Sequence, residues 1–272
     1  MRLDRALVAR GLARSRTHAQ HLIEAGAVTV GNATATRAST PVPEDAEIHV
    51  IDDGYVSRAA HKLIGALDAC AIHGLSVAGA RALDAGASTG GFTQVLLERG
   101  AEHVTAIDVG HGQLAPQIAN DPRVTAIEGL NVRDLDASHL EGAVNLVVAD
   151  LSFISLTLVT RPLCSAVASG DLVLMVKPQF EVGKDKLGAG GVVTRPDDRA
   201  QAVAGVAKAL VTEGAVIHSV EQSQLPGLTG NVEFFIWASL AWQASGADGA
   251  QRPHLAGAAL KSAIEYVTKG RL

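Results

Sequence analysis

The chain has 272 residues, 47% hydrophobic and 19% charged, which excludes a disordered chain and fits one large domain, alone or with a small companion. Only 3% are aromatic, so the core must rest on Ala, Val, Leu and Ile, as in a parallel sheet covered by helices. The net charge of −5 argues against a globally basic nucleic-acid binder, yet residues 1–40 hold Arg2, Arg5, Arg10, Arg14, Arg16 and Arg37 against only Asp4 and Glu24.

The chain begins with Leu3, Leu7, Val8 and Leu12 on one helical face, closed by Gly11. Ser15 is placed to cap a second helix with Ala19, Leu22 and Ile23 inward and Gly26 at its end. A strand at residues 28–30, a Gly31-Asn32 turn and a strand over residues 46–51 follow. This arrangement puts Arg10, Arg14, Arg16 and His18 near one edge, where guanidinium groups can meet phosphates; from charge alone, a solvated basic face reads equally well. Residues 52–56 read as a linker, since Asp52, Asp53 and Gly54 break both periodicities.

From residue 57 on, strands and helices alternate. Strands are expected at residues 81–84, 104–108, 124–128, 144–150, 171–177 and 232–237, with helices at 92–98 and 199–213 among others. This is the pattern of a doubly wound parallel sheet, which binds ligands at the C-terminal ends of its strands. Asp84, Asp108, Asp150 and Lys177 all fall at such ends. The loop after Asp84 carries Gly86, Ser88, Thr89, Gly90 and Gly91, so the dinucleotide pattern GxGxxG fails. Glycines there let backbone approach a ligand closely, and Asp108 at the next strand end can accept two ribose hydroxyls. Asn131 follows the third strand as a candidate adenine contact.

Lys62, Asp150, Lys177 and Glu233 make a set able to deprotonate a weakly acidic hydroxyl. Desolvation at a strand end favours the neutral amine of Lys177, while a carboxylate alongside favours the ammonium. Each of the four, read singly, is more readily a surface lysine or a helix-capping acid. The loop at residues 183–191 is a long glycine-rich crossover beside Lys177, in which Lys184 and Lys186 can meet phosphates or solvent alike. Cys70 and Cys164 read as buried thiols, and neither cysteine nor histidine spacing fits a metal site. No apolar run reaches the roughly 18 residues of a membrane span, and residues 234–247 read as a strand with its trailing loop. Arg5, Arg10, Arg14 and Arg16 interrupt any leader-like apolar stretch. The expectation is a cytoplasmic monomer.

These patterns carry two resemblances. Residues 2 to about 51, with Arg2-Leu3-Asp4, Gly11-Leu12-Ala13 and Ser15-Arg16 followed by Leu22-Ile23, Gly26 and Val28-Thr29-Val30, closely resemble the S4 RNA-binding module. The resemblance implies an RNA face bearing Arg2, Arg5, Arg10, Arg14, Arg16 and His18. The loop from Asp84 to Gly91 resembles the first motif of S-adenosylmethionine-dependent methyltransferases. It implies cofactor contacts from Asp84, Gly86, Ser88, Thr89, Gly90, Gly91, Asp108 and Asn131. The order Lys62, Asp150, Lys177, Glu233 is similar to the tetrad of FtsJ-like RNA 2′-O-ribose methyltransferases. Residues 57–63, 83–93, 150–156, 176–184 and 230–234 together resemble the TlyA family.

The fold so implied is α/β, a Rossmann-like class I methyltransferase sheet over residues 57–272 with a small N-terminal α+β S4-like domain over 1–51. The activity implied is transfer of a methyl group from S-adenosylmethionine to a cytidine 2′-hydroxyl of 16S or 23S ribosomal RNA or both. Lys177 would be the base, supported by Lys62, Asp150 and Glu233, and the partners would be ribosomal RNA or ribosomal subunits. Two departures stand out. The chain starts almost at the first S4 helix, without the short basic extension of members acting on both subunits. The linker reads Asp53-Gly54-Tyr55-Val56 where some members have Arg-x-Trp-Val. Members have also been labelled haemolysins, so a membrane-active protein and a non-catalytic ribosome assembly factor are the alternatives, with another RNA as substrate a third.

Overall fold

A computed structural model describes residues 1–13, 16–24, 26–50, 54–241 and 252–269. The chain divides into two compact units, Met1–Ala60 and His61–Leu272. The division falls after the region read as a linker, of which residues 52 and 53 lie outside the described residues.

In the first unit, helices α1 (Leu3–Ala9) and α2 (Arg16–Glu24) pack with a three-stranded antiparallel sheet of β1 (Val28–Val30), β2 (Ala33–Thr34) and β3 (Ile48–Val50), in the order β2-β1-β3. The apolar faces read from the sequence form its core, with Leu3, Leu7, Ala19, Ile23, Val28 and Ile48 buried. Gly11 and Gly26 take left-handed backbone beyond the two helices (φ +70° and +69°), which glycine adopts without a Cβ clash. Strand β2 was not expected; Gly31-Asn32 turns β1 directly into it. The capping role read for Ser15 lies outside the described residues.

The second unit runs through α3 (Ala59–Ala71), which opens at the seam between the units, then β4 (Arg81–Ala85), α4 (Gly91–Glu98), β5 (His103–Asp108), α5 (Pro116–Ala119), β6 (Val124–Glu128) and β7 (Val144–Ala149). It continues through α6 (Thr160–Ser165), β8 (Val167–Val176), α7 (Pro178–Glu181), α8 (Pro196–Thr212), β9 (Val216–Gln222), β10 (Phe234–Leu240) and α9 (Gly257–Lys269). Seven strands form one sheet in the order β6-β5-β4-β7-β8-β10-β9. Strands β4 to β8 pair in parallel, and their near-continuous Val, Leu and Ile runs are buried by helices on both faces.

One expectation fails: the sheet is not wholly parallel. Strand β10 runs antiparallel to both β8 and β9. The stretch from 223 to 233 carries no helix and brings the chain back as a reversed neighbour, whereas a parallel return needs a crossover, usually helical. The consequence reaches the site. Phe234 pairs with Val176, so the start of β10 lies at the same edge as the C-terminal end of β8. A parallel β10 would have carried Glu233 to the opposite edge.

Both cysteines are buried and free, and burial pushes their thiols up, Cys70 to about 12 and Cys164 to about 11. Among the described residues no helix is long and apolar enough to cross a membrane, and no group of His, Cys, Asp and Glu is arranged to hold a metal.

Candidate active site

A cleft of about 450 Å³ opens at the C-terminal ends of β4, β5 and β7. Gly86 forms its floor at φ +85°, and a Cβ there would come within 2.8 Å of the Asp150 carbonyl oxygen. Only glycine lets the loop after β4 approach the end of β7 this closely. Ser88 sits in left-handed backbone (φ 48°), held by its N–H donating to Asp108 Oδ2 at 2.9 Å. Asp108 Oδ1 accepts from the Gly110 N–H at 2.7 Å. One carboxylate therefore fixes the loops after both β4 and β5, and its remaining lone pairs stay available to a ligand. Asn131 lines the same cleft, and its Oδ1 accepts from the Arg133 N–H at 3.0 Å.

Four residues read as cofactor contacts do not line this cleft. Asp84 is fully buried in the middle of the sheet, its Oδ2 accepting from Thr93 Oγ1 at 2.7 Å, so it anchors α4 to β4. Its Oδ1 is buried without a hydrogen-bond partner, and burial raises its carboxyl from near 3.8 to about 7. Thr89 accepts the Ala115 N–H on its carbonyl, and Gly90 turns at φ +93° where a Cβ would come 2.9 Å from Leu114 Cδ1. Gly91 begins α4. These three hold the shape of the loop.

The four ionisable residues assemble as two pairs. Asp150 follows β7 and Lys177 follows β8, and Lys177 Nζ lies 2.7 Å from Asp150 Oδ1. That contact is close but off the axis of a hydrogen bond, since Asp150 Oδ1 has no aligned donor. Lys177 Nζ does donate to Ser152 Oγ at 2.8 Å. Lys62, from the first turns of α3, donates to Glu233 Oε2 at 2.6 Å, and both residues are buried. Gly227 makes room for Glu233: a Cβ at that position would lie 2.7 Å from Oε1.

The sequence reading missed the residues between these pairs. Ser152 and Phe153 line the cleft beside Asp150. Phe153 is 91% exposed, adopts left-handed backbone at φ 64°, and its ring lies 5.4 Å from that of Phe180. Glu181 accepts from Ser155 Oγ at 2.5 Å and from the Leu156 N–H at 2.7 Å, which binds α7 to the segment after Asp150. Burial raises the Glu181 carboxyl above its ordinary range. The signal was present, since these residues fall within the stretches 150–156 and 176–184, but serine and phenylalanine bear no charge to single them out. Arg133 also stands exposed on the cleft wall.

Within the first unit, the arginines read as one basic face differ in their partners. Arg2 and Arg16 both pair with buried Asp4, at 3.0 and 3.1 Å, and the hydrogen bond from Arg2 leads in holding its carboxyl down at about 2. Arg10 donates to the carbonyls of Ala46, Pro43 and Glu44, so it fastens the segment before β3. Arg5 is exposed and has no ion-pair partner among the described residues. His18 is half-buried on α2, and Arg14 lies outside the described residues.

Comparison with known proteins agrees with this architecture. Residues 55–240 match the FtsJ-like methyltransferase family and residues 1–48 the S4 domain. The chain is 52% identical over 240 residues to the 16S/23S rRNA (cytidine-2′-O)-methyltransferase TlyA of Mycobacterium tuberculosis, covering 87% of this chain and 88% of that one. It is 34% identical over 237 residues to Hemolysin A of Brachyspira hyodysenteriae, covering 86% and 98%. A solved structure from Streptococcus thermophilus, also bearing a hemolysin label, is similar at a TM-score of 0.73 and 29% identity, covering 99% of this chain and 96% of that one.

Proposed function

The chain belongs to the FtsJ-like methyltransferases, in the TlyA family, and we propose on that premise that it methylates a cytidine 2′-hydroxyl of ribosomal RNA with Lys177 as the base. One observation carries the reading. Lys177 Nζ meets Asp150 and Ser152, and both of those residues line the cleft built by Gly86, Ser88 and Asp108. A proton acceptor thus borders a cofactor-sized cleft.

The cleft residues fit S-adenosylmethionine. Gly86 and Ser88 would admit its backbone-facing side, Asp108 would accept its ribose hydroxyls, and Asn131 with Leu130 and Val132 would flank the adenine. When bound, it supplies an electrophilic methyl group. The protein's own task is to hold the ribose hydroxyl in line and take its proton. Lys177 Nζ takes that proton, and Asp150 steadies the ammonium that results. The buried Lys62–Glu233 pair fixes the start of β10 against α3. Phe153, exposed at the cleft, offers a ring face for an unstacked base. The S4 domain brings RNA to the enzyme, Arg2, Arg5, Arg16 and His18 being its candidates for phosphate contact.

Purified 30S and 50S subunits incubated with the protein and labelled S-adenosylmethionine test this directly. The label is expected on a cytidine ribose, mapped by nuclease digestion and mass spectrometry. Label on a base, or on neither subunit, would overturn the assignment.

A further inference from the structure

We propose that Ser152 is a positioning residue for proton abstraction: its hydroxyl holds one N–H of Lys177 so that the amine lone pair faces the ribose hydroxyl. The proposal rests on Lys177 being the base.

A neutral lysine amine has two N–H groups and one lone pair. Rotation about its terminal carbon–nitrogen bond offers three staggered arrangements, and only one aims the lone pair at a given proton. Ser152 Oγ accepts a hydrogen bond from Nζ at 2.8 Å, which excludes the arrangement with the lone pair towards Ser152 and leaves two. The Asp150 carboxylate, 2.7 Å from Nζ but off the hydrogen-bond axis, repels a lone pair turned towards it and disfavours a second. The two neighbours thus act together, Asp150 through its charge and Ser152 through its hydrogen bond, and leave the lone pair to the ribose side. A serine hydroxyl accepts while keeping its own proton free to donate, so Ser152 can serve the neutral amine and the ammonium alike. In the step itself the proton leaves the 2′-oxygen for the Nζ lone pair. The product ammonium has three N–H groups, one still donated to Ser152.

Such a role requires that Ser152 be held still, and the surrounding segment is tied at both ends. At one end the Asp150 N–H donates to the Ala85 carbonyl at 3.1 Å, and Leu151 is buried. At the other, Glu181 grips Ser155 and Leu156 from α7, the helix that begins directly after Lys177. The left-handed backbone at Phe153 lies between these anchors. The hydroxyl and the amine are thereby carried on two segments that Glu181 locks together.

The test compares wild type, S152A, S152T and K177A by single-turnover methylation of ribosomal subunits, with S-adenosylmethionine affinity measured by calorimetry. S152A is expected to lower the rate constant about 10- to 100-fold, the scale of a misaligned reacting group. The KM for RNA and the cofactor affinity should remain within about twofold. S152T, which keeps the hydroxyl, should restore most of the rate. A wild-type rate in S152A beside an inactive K177A overturns the proposal and leaves Lys177 as the base. An active K177A overturns the underlying reading instead. Loss of cofactor affinity in S152A, or no recovery in S152T, overturns the positioning role, since the serine would then act on the cofactor or on packing.

Discussion

Lys62–Glu233 and Lys177–Asp150 are chemically the same pair placed in different surroundings. The Lys62 and Glu233 side chains are 9% and 3% exposed and share an aligned hydrogen bond of 2.6 Å. The Lys177 and Asp150 side chains are 11% and 16% exposed and touch without alignment, and Asp150 lines the cleft. The aligned, buried pair holds its hydrogen bond within the fold. On the proposed reading, the unaligned pair supplies the proton acceptor. Identity of the residues therefore decides less than whether their bonds are already satisfied.

The largest effect that can break this contrast is on catalysis. Lys177→Ala should lower methyl transfer at least 10²- to 10⁴-fold, the range of a lost general base. The thermal midpoint and cofactor affinity should hardly move, as read by calorimetry. A fall in stability as large as that expected for Glu233→Ala would place both pairs in the same structural role.

Glu233→Ala should act the other way. It leaves a buried ammonium without its carboxylate, which costs about 3–5 kcal/mol of folding stability. Urea unfolding should show a lower midpoint. The double change Lys62→Met with Glu233→Leu should recover much of that loss, because no buried charge remains. A double variant that folds well and still methylates slowly would assign this pair a part in the chemistry as well.

Asp84 sharpens the contrast through a third carboxylate, one fully buried and bonded to Thr93 rather than to a cation. Its carboxyl is raised by burial to about 7. The folded state therefore binds a proton that the unfolded chain releases near pH 3.8. The stability this contributes is whole below that pH and drains away as pH rises to about 7, a few kcal/mol at most. Asp84→Asn should flatten this part of the profile. Thermal midpoints at pH 5 and pH 8 give the reading: the difference between them should be smaller in the variant. An unchanged difference would mean that Asp84 stays ionised through another partner.

Much of the site was legible because charge and glycine leave strong marks in a sequence. Strand ends at Asp108, Asp150 and Lys177 followed from apolar runs that stop at a polar residue, and the S4-like helices from their spacing. Three things were not. The reversal of β10 depends on which neighbour the strand meets, a non-local choice, and it alone puts Glu233 at the right edge. Asp84 looked like a ligand because it precedes the glycine loop, yet the pairing of its strand on both sides buries it. Ser152 lay within the stretch 150–156 but carried no charge to single it out, and its bond to Lys177 depends on the 2.8 Å approach of a lysine from another strand end.

The smallest expected effect carries the same distinction between satisfied and open charges into the N-terminal unit. Arg10 gives its guanidinium to backbone carbonyls, and Arg5 gives its own to nothing among the described residues. Sequence treated them alike, as parts of one basic face. Each phosphate contact contributes about 0.7 to 0.9 to the slope of log affinity against log salt. Arg5→Ala should reduce that slope by one contact and weaken RNA binding uniformly across sequences. Arg10→Ala should leave the slope nearly intact and lower the thermal midpoint instead, because it unfastens the segment before β3. Filter binding of ribosomal RNA fragments over a series of salt concentrations separates the two. Equal slope changes for both variants would mean that Arg10 leaves its carbonyls to meet RNA, and the rule that satisfied groups serve the fold would then hold for the buried lysine pair alone.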